Sequence, residues 1–218
     1  MRNTFLFSAP GRTELSGNHT DHQHGCVLAG AIDLEITAEV TLCGSRMIHI
    51  DSEGYAPVTV SLDDLAVRPE ETNTTAALVR GVAAAFVQRG AVLQGFDAKI
   101  RSTVLPGSGL SSSAAFEVLM GTILNELFFE QRLSPVEIAQ IGQWAENVYF
   151  GKPCGLMDQT AAVSPEPCRR SSRWICWTPS NSPLKPSWGR IPATFCPSVP
   201  QVVSGSRNTP CQEEVLRC

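Results

Sequence analysis

Leu105-Pro-Gly-Ser-Gly-Leu-Ser-Ser-Ser-Ala-Ala115 is the stretch that decides how this 218-residue chain is read. Before it, Phe96 to Val104 alternates: Phe96, Ala98, Ile100 and Val104 share one face, and Asp97, Lys99 and Arg101 the other. That pattern predicts a half-buried strand. After it, Ser112 to Phe129 is mostly apolar and predicts a helix. The stretch is therefore a Gly/Ser loop between a strand and a helix. Glycine allows positive φ, so successive N–H groups can converge on one anion. The helix N-terminus adds unpaired donors and about half a positive charge. The loop lacks the Gly-Lys-Ser/Thr ending of a Walker A loop, so it is not a P-loop. Taken alone, it could also be a flexible loop capped by serine.

Working outward, the chain alternates strands and helices. Leu28 to Leu42 is rich in β-branched and small apolar residues, as strands are. Met47–Ile50 and Val58–Val60 predict short strands, with Gly54 and Pro57 marking the turn between them. Asn73 to Arg89 carries Ala77, Leu78, Gly81, Val82, Ala85 and Phe86 at helical spacing, with Gly90 placed as a cap. A third helix opens at Ser134, with Pro135 at its first position and Glu137 completing a capping box. Its expected buried stripe is Ile138, Ile141, Ala145, Val148 and Tyr149, and Gly151 follows its end.

Two further segments carry chemistry. Ala9-Pro-Gly-Arg-Thr-Glu-Leu-Ser-Gly-Asn-His-Thr-Asp-His-Gln-His-Gly25 places Arg12, His19 and Asp21 near glycines, which predicts polar groups on tight turns. Short side chains with fixed donors and acceptors suit sugar hydroxyls. The competing readings are a metal site from His19, Asp21, His22 and His24, and a polar surface loop. Four ligands within six residues make a poor tetrahedral cage. The other segment is Glu146 followed by Gly151-Lys-Pro-Cys-Gly-Leu-Met-Asp-Gln159. Its Pro/Gly turn would hold the Asp158 carboxylate at the floor of a cleft. Alone, Asp158 reads as a helix cap and Glu146 as a solvated helix residue.

Composition sets limits. A hydrophobic share of 43% with 17% charged residues is ordinary for a soluble globular protein. Neither a signal peptide nor a membrane span is expected, and the eight unpatterned cysteines fit reduced thiols in the cytoplasm. The body, residues 1–163, is acidic. Residues 164–218 are basic, rich in Pro, Ser, Trp and Cys, and free of aspartate. Their arginines are scattered, which argues against a nucleic-acid partner. Prolines recur too often for helix interiors or central strands. The expectation is a disordered or frameshifted continuation rather than a domain.

The three motifs, in this order and at these intervals, resemble the galactokinase branch of the GHMP small-molecule kinases from residue 5 to about 163. The resemblance implies an α+β fold: a ribosomal-protein-like two-layer α/β N-terminal domain, with the second, C-terminal domain missing. It implies ATP-dependent phosphorylation of galactose at its anomeric hydroxyl, giving galactose 1-phosphate. By position, Asp158 would accept or orient the hydroxyl proton, and Arg12 would keep Asp158 ionised and stabilise the transferring phosphoryl group. His19, Asp21 and Asn18 would meet the sugar. Pro106, Gly107, Ser108, Gly109, Leu110, Ser111, Ser112 and Ser113 would cradle ATP. Ser112 or Ser113, with Glu146, would hold Mg²⁺. Three positions depart from the signature: Asn18 stands for the usual Glu, Glu14 for Asn and His22 for Tyr. A galacturonate, arabinose or N-acetylgalactosamine kinase is therefore an alternative, as is a non-catalytic binder of sugar and ATP. With the glycine-rich third motif absent, little or no turnover is expected of this chain.

Overall fold

The structure is a computed structural model that describes residues 4–23, 25–163, 173–177 and 187–190. Its elements run β1 (Thr4–Ser16), β2 (Val27–Leu42), β3 (Met47–Ser52), β4 (Val58–Ser61), α1 (Thr75–Gln88), β5 (Phe96–Ser102), α2 (Ser112–Phe128), α3 (Pro135–Ala145), a π-helical turn (Glu146–Phe150), α4 (Met157–Ala162), β6 (Arg173–Trp177) and β7 (Ser187–Arg190). One sheet has the order β4-β3-β5-β2-β1, and all its pairings are antiparallel except β3 with β5. β2 is long enough to pair with β1 along one edge while its other edge is shared. Ile36–Leu42 bonds β5, and Val27–Gly30 bonds β6, which in turn pairs with β7.

Alternation assigns the layers. Ile36, Ala38 and Val40 on β2, Ile48 and Ile50 on β3, and Phe96, Ala98 and Ile100 on β5 are buried, while Glu39, His49 and Lys99 between them are exposed. The buried face lies under the helices, giving a two-layer α/β sandwich. Fully burying one such side chain contributes about 1.5–3 kcal/mol. Phe86 meets Phe129 edge-on at 5.9 Å, and Phe96 stacks with Phe128 at 6.2 Å. Among the described residues no helix is long and apolar enough to cross a membrane.

Caps fall where the sequence puts them. The Thr74 side chain accepts from Ala77 N at the start of α1, and Ser134 and Glu137 form a reciprocal capping box on α3. Three differences have physical causes. The segment expected to form polar turns around Arg12 is instead the second half of β1. Register shifts between Pro10 and Arg12 and between Glu14 and Ser16 break the period of two that marks a strand. Pro10 is tolerated because β1 bonds only β2 among the described residues. Val148, expected in a buried stripe, is 44% exposed. The π turn adds a residue to the helical repeat and swings Val148 outward while Tyr149 stays buried. Finally, prolines argued against any element in the tail, yet two short strands occur there, Arg173–Trp177 and Ser187–Arg190, both in proline-free stretches. The rest of residues 164–218 lies outside the described residues.

Candidate active site

Arg12 sits on β1 just past a bulge, and only 4% of it is exposed. Gly11 beside it has no Cβ because one would lie 3.1 Å from Leu110 O and from Val104, so β1 and the Gly/Ser loop touch through backbone. The loop is strapped there: Arg12 N donates to Leu110 O at 3.1 Å and Arg12 Nη1 to Gly109 O at 2.7 Å. The guanidinium Nε donates to Asp158 Oδ1 at 2.6 Å. Asp158 lies in the first turn of α4, and Ser111 Oγ donates to its other oxygen at 2.6 Å. The guanidinium of residue 12, the hydroxyl-bearing turn near 110 and the carboxylate of 158 thus share one place.

Burial alone would raise the Asp158 carboxyl. The Arg12 hydrogen bond and charge and the Ser111 hydroxyl outweigh it and hold Asp158 below its ordinary value. The group is ionised at neutral pH.

The loop is open to solvent from Leu105 to Gly109. Gly107 and Gly109 take φ of 73° and 76°, and Ser111 takes the left-handed region at 56°. Ser111 occupies the N-cap position of α2 but makes no cap hydrogen bond. The first amides of this 17-residue helix are left without a side-chain cap and lie behind a loop of turned amides, an arrangement that suits an anion. Ser108 Oγ donates to Leu105 O, which tightens the turn.

Behind Ser111, Ser113 Oγ donates to Glu146 Oε1 at 3.1 Å, and Lys152 Nζ lies 3.3 Å from the same oxygen. A serine hydroxyl and one carboxylate beside a loop of turned amides are the hard oxygen donors Mg²⁺ takes when phosphates complete its shell. The residues fit the ion, and Ser112 stands one position before Ser113 at the start of α2.

The residues expected to meet a sugar have protein partners of their own. Asn18 and His19 both take left-handed backbone angles, φ 55° and 53°, in the exposed turn after β1. The His19 ring lies between Glu14, which meets its Nδ1, and Arg12, whose Nη2 is 2.9 Å from Nε2. Glu14 also accepts from His19 N at 2.9 Å. Asp21 Oδ2 accepts from Met157 N at 3.0 Å, pinning the turn to the start of α4. Two of the three expected sugar residues, His19 and Asp21, thus contact Arg12 and the residue before Asp158.

Sequence reading missed Glu117 and Gln159, both fully buried, and the depth of Glu146, which is 1% exposed rather than solvated. The signal for Glu117 was present: a lone acid in the apolar run from Ala114 to Leu124.

A family model described as the galactokinase galactose-binding signature matches residues 2–42, and the GHMP kinases N-terminal domain model matches residues 77–166. The chain belongs to the GHMP kinases, on the galactokinase branch. A galactokinase of Streptomyces coelicolor is 38% identical over 160 residues, covering 72% of this chain and 41% of that protein. One of Bacillus subtilis is 36% identical over 160 residues, covering 72% of this chain and 40% of its own length. The chain thus spans about two fifths of these curated relatives. Among solved structures, a Lactococcus lactis galactokinase complexed with galactose superposes with a TM-score of 0.77 at 27% identity, over 87% of this chain and 48% of that one. A Methanococcus jannaschii mevalonate kinase, at 17% identity and TM-score 0.65, shares the fold, covering 82% of this chain and 56% of its own. The fold is that of the GHMP kinase N-terminal domain.

Proposed function

We propose that this chain carries the sugar and phosphate ends of a galactokinase-type site, in which the γ-phosphoryl group of ATP passes to the anomeric hydroxyl of galactose. The observation that carries the reading is the convergence of Arg12, Ser111 and Asp158 beside a loop of turned amides. Asp158 Oδ1 and Oδ2 are ionised acceptors held in fixed directions, suited to take the hydroxyl proton as the anomeric oxygen bonds phosphorus and the bond to the ADP oxygen breaks. Arg12 orients that carboxylate and adds positive charge where phosphoryl charge develops. Residues 106–113 supply amides and hydroxyls for the ATP phosphates. Ser112 or Ser113, with Glu146, would hold Mg²⁺, which would supply neutralising charge to the phosphate oxygens. The domain boundary falls near residue 163, where the family's motifs end.

His19, Asp21 and Asn18 border the sugar end. Asn18, Glu14 and His22 in place of the usual Glu, Asn and Tyr keep a related sugar, galacturonate, arabinose or N-acetylgalactosamine, as the alternative to galactose. A coupled ADP-release assay on the 218-residue chain, with Asp158→Asn as control, tests the reading across galactose, galacturonate, arabinose and N-acetylgalactosamine. ADP release with galactose above the control supports it. Calorimetric binding of ATP and a sugar without ADP release favours the non-catalytic binder. Neither binding nor turnover defeats both.

A further inference from the structure

Behind the phosphate loop, three polar side chains meet where α2, α4 and the π turn converge, all out of solvent: Glu117, Gln159 and Glu146. Gln159 Nε2 donates to Glu117 Oε2 at 2.9 Å and to Glu146 Oε2 at 3.0 Å. Two carboxyl groups thus accept from this nitrogen, with Cys154 Sγ a longer contact at 3.8 Å. Because Oε2 of Glu146 is tied inward, its Oε1 is the oxygen that faces Ser113 and Lys152. The two oxygens are equivalent, so what the amide restrains is the plane of the carboxylate: with one oxygen held by Gln159, smaller turns about the last bond that would swing the other away from Ser113 are opposed.

The back of the bridge is built for the same purpose. Glu117 Oε1 and Gln159 Oε1 are buried acceptors without a donor. A proton on Glu117 supplies the missing donor, and the two groups then form a neutral acid–amide pair. Burial pushes the Glu117 carboxyl well up, and the Glu146 charge adds to this, while the Gln159 hydrogen bond opposes it. Gly142 on α3 closes the cluster from above, since a Cβ there would sit 3.1 Å from Gln159 Cγ and from Glu117.

We infer that Gln159 is a positioning residue for the metal-bound nucleotide: its amide bridge from Glu117 to Glu146 holds one Glu146 oxygen inward and so fixes the plane in which the carboxylate presents its other oxygen to the cation. The inference rests on the reading of Glu146 as a ligand of that cation. Outer-shell partners of this kind change metal affinity about 10–100-fold when removed.

The test is Mn²⁺ affinity in the presence of ATP, read by electron paramagnetic resonance on the 218-residue chain, with circular dichroism to establish folding. Gln159→Met removes both donors at similar length and should weaken Mn²⁺ at least about tenfold and alter the zero-field splitting. Glu117→Gln keeps a donor and an acceptor at the back of the bridge and should bind Mn²⁺ within about twofold of the parent. If Gln159→Met does not fold, Gln159→Glu keeps the shape, can donate through one proton at most, and should show the same weakening. Weakening by Glu146→Gln with unchanged affinity in a folded Gln159 variant overturns the inference and leaves the ligand reading standing. No effect of Glu146→Gln, or no ATP-dependent Mn²⁺ binding by the parent chain, overturns that reading and the inference with it.

Discussion

Arg12 Nε donates to Asp158 Oδ1 across 2.6 Å, although 146 positions of sequence separate the two. The strand that carries Arg12 and the short helix that carries Asp158 meet nowhere else so closely with charge on both sides. The pair is mostly shielded, with Arg12 side chain 5% and Asp158 side chain 22% exposed. Breaking such a pair by removing one partner leaves a charge without compensation.

Arg12→Met is therefore expected to destabilise the fold by about 3 kcal/mol, at the low end for buried pairs because Asp158 retains some solvent. Linkage gives the pH signature. Asp158 is held below its ordinary 3.8, so its contribution is present above about pH 4 and is lost as pH falls through the lower folded value. In Arg12→Met, desolvation has lost its largest opponent, leaving Ser111 and weaker contributions. The carboxyl rises and the acid limb of the ADP-release profile moves to higher pH. Urea titrations from pH 3 to 7 and rate profiles would show both, and an unmoved acid limb would count against Asp158 as proton acceptor.

Glu117 works in the opposite direction. Its carboxyl is held well above the ordinary 4.5, first by burial and then by Glu146, with Asp158 adding to and Lys152 and Gln159 opposing the shift. The folded chain keeps a proton that the unfolded chain releases, so stability is lost as pH rises above about 4.5. Glu117→Gln removes that slope while retaining the buried hydrogen bonds. The difference in urea midpoint between variant and parent should grow from pH 4.5 to 7 in favour of the variant. A constant difference would mean that Glu117 is already charged.

How much of this was legible follows from what each residue needed. The Gly/Ser loop, the α3 capping box and the strands at 27–42 and 96–102 could be read because their signals are local: turn residues, caps and a clean alternation. β1 could not, because two bulges erase its period exactly where Arg12 sits. Arg12, Asp158 and the serine loop were picked out by resemblance, and the structure brings them together. Glu117 and Gln159 were passed over because one lies in an apolar helix and the other beside a more conspicuous aspartate. Their meeting depends on how α2 and α4 pack, which no local pattern encodes. His19 and Asp21 were expected to face a sugar, and their bonds to Glu14, Arg12 and Met157 could not be foreseen from spacing.

Gly155 offers a steric test of the link between the sugar-side turn and α4. A Cβ at residue 155 would overlap the Asp21 carboxylate, whose Oδ2 accepts from Met157 N. Gly155→Ala should force the turn and helix apart, costing about 1–3 kcal/mol as overpacking does. It should also weaken sugar binding more than ATP binding, since Asp21 and Met157 lie on the Asp158 side and not on the loop. Thermal melts with calorimetry for each ligand read the two effects. A normal melt would show that the turn gives way freely and that the Asp21 contact is not needed.

The Glu14–His19 pair gives the sharpest separation of the two ends of the site. His19 can satisfy Glu14 and Arg12 together only with its proton on Nδ1, donating to Glu14 and accepting from Arg12 Nη2 at Nε2. Glu14 also holds His19 N, so one carboxylate fixes both the backbone and the tautomer of this turn. Glu14→Ala removes both bonds in a half-exposed setting and should cost about 1 kcal/mol of stability. Freed from Glu14, the ring loses its reason to keep Nε2 unprotonated, and Arg12 loses a partner on the sugar side while keeping Asp158 and Gly109 O. Galactose affinity should fall several-fold, with ATP affinity unchanged, because the loop amides touch neither Glu14 nor His19. Equal losses for both ligands would mean that Glu14 supports the fold as a whole, and the assignment of this turn to sugar recognition would fail.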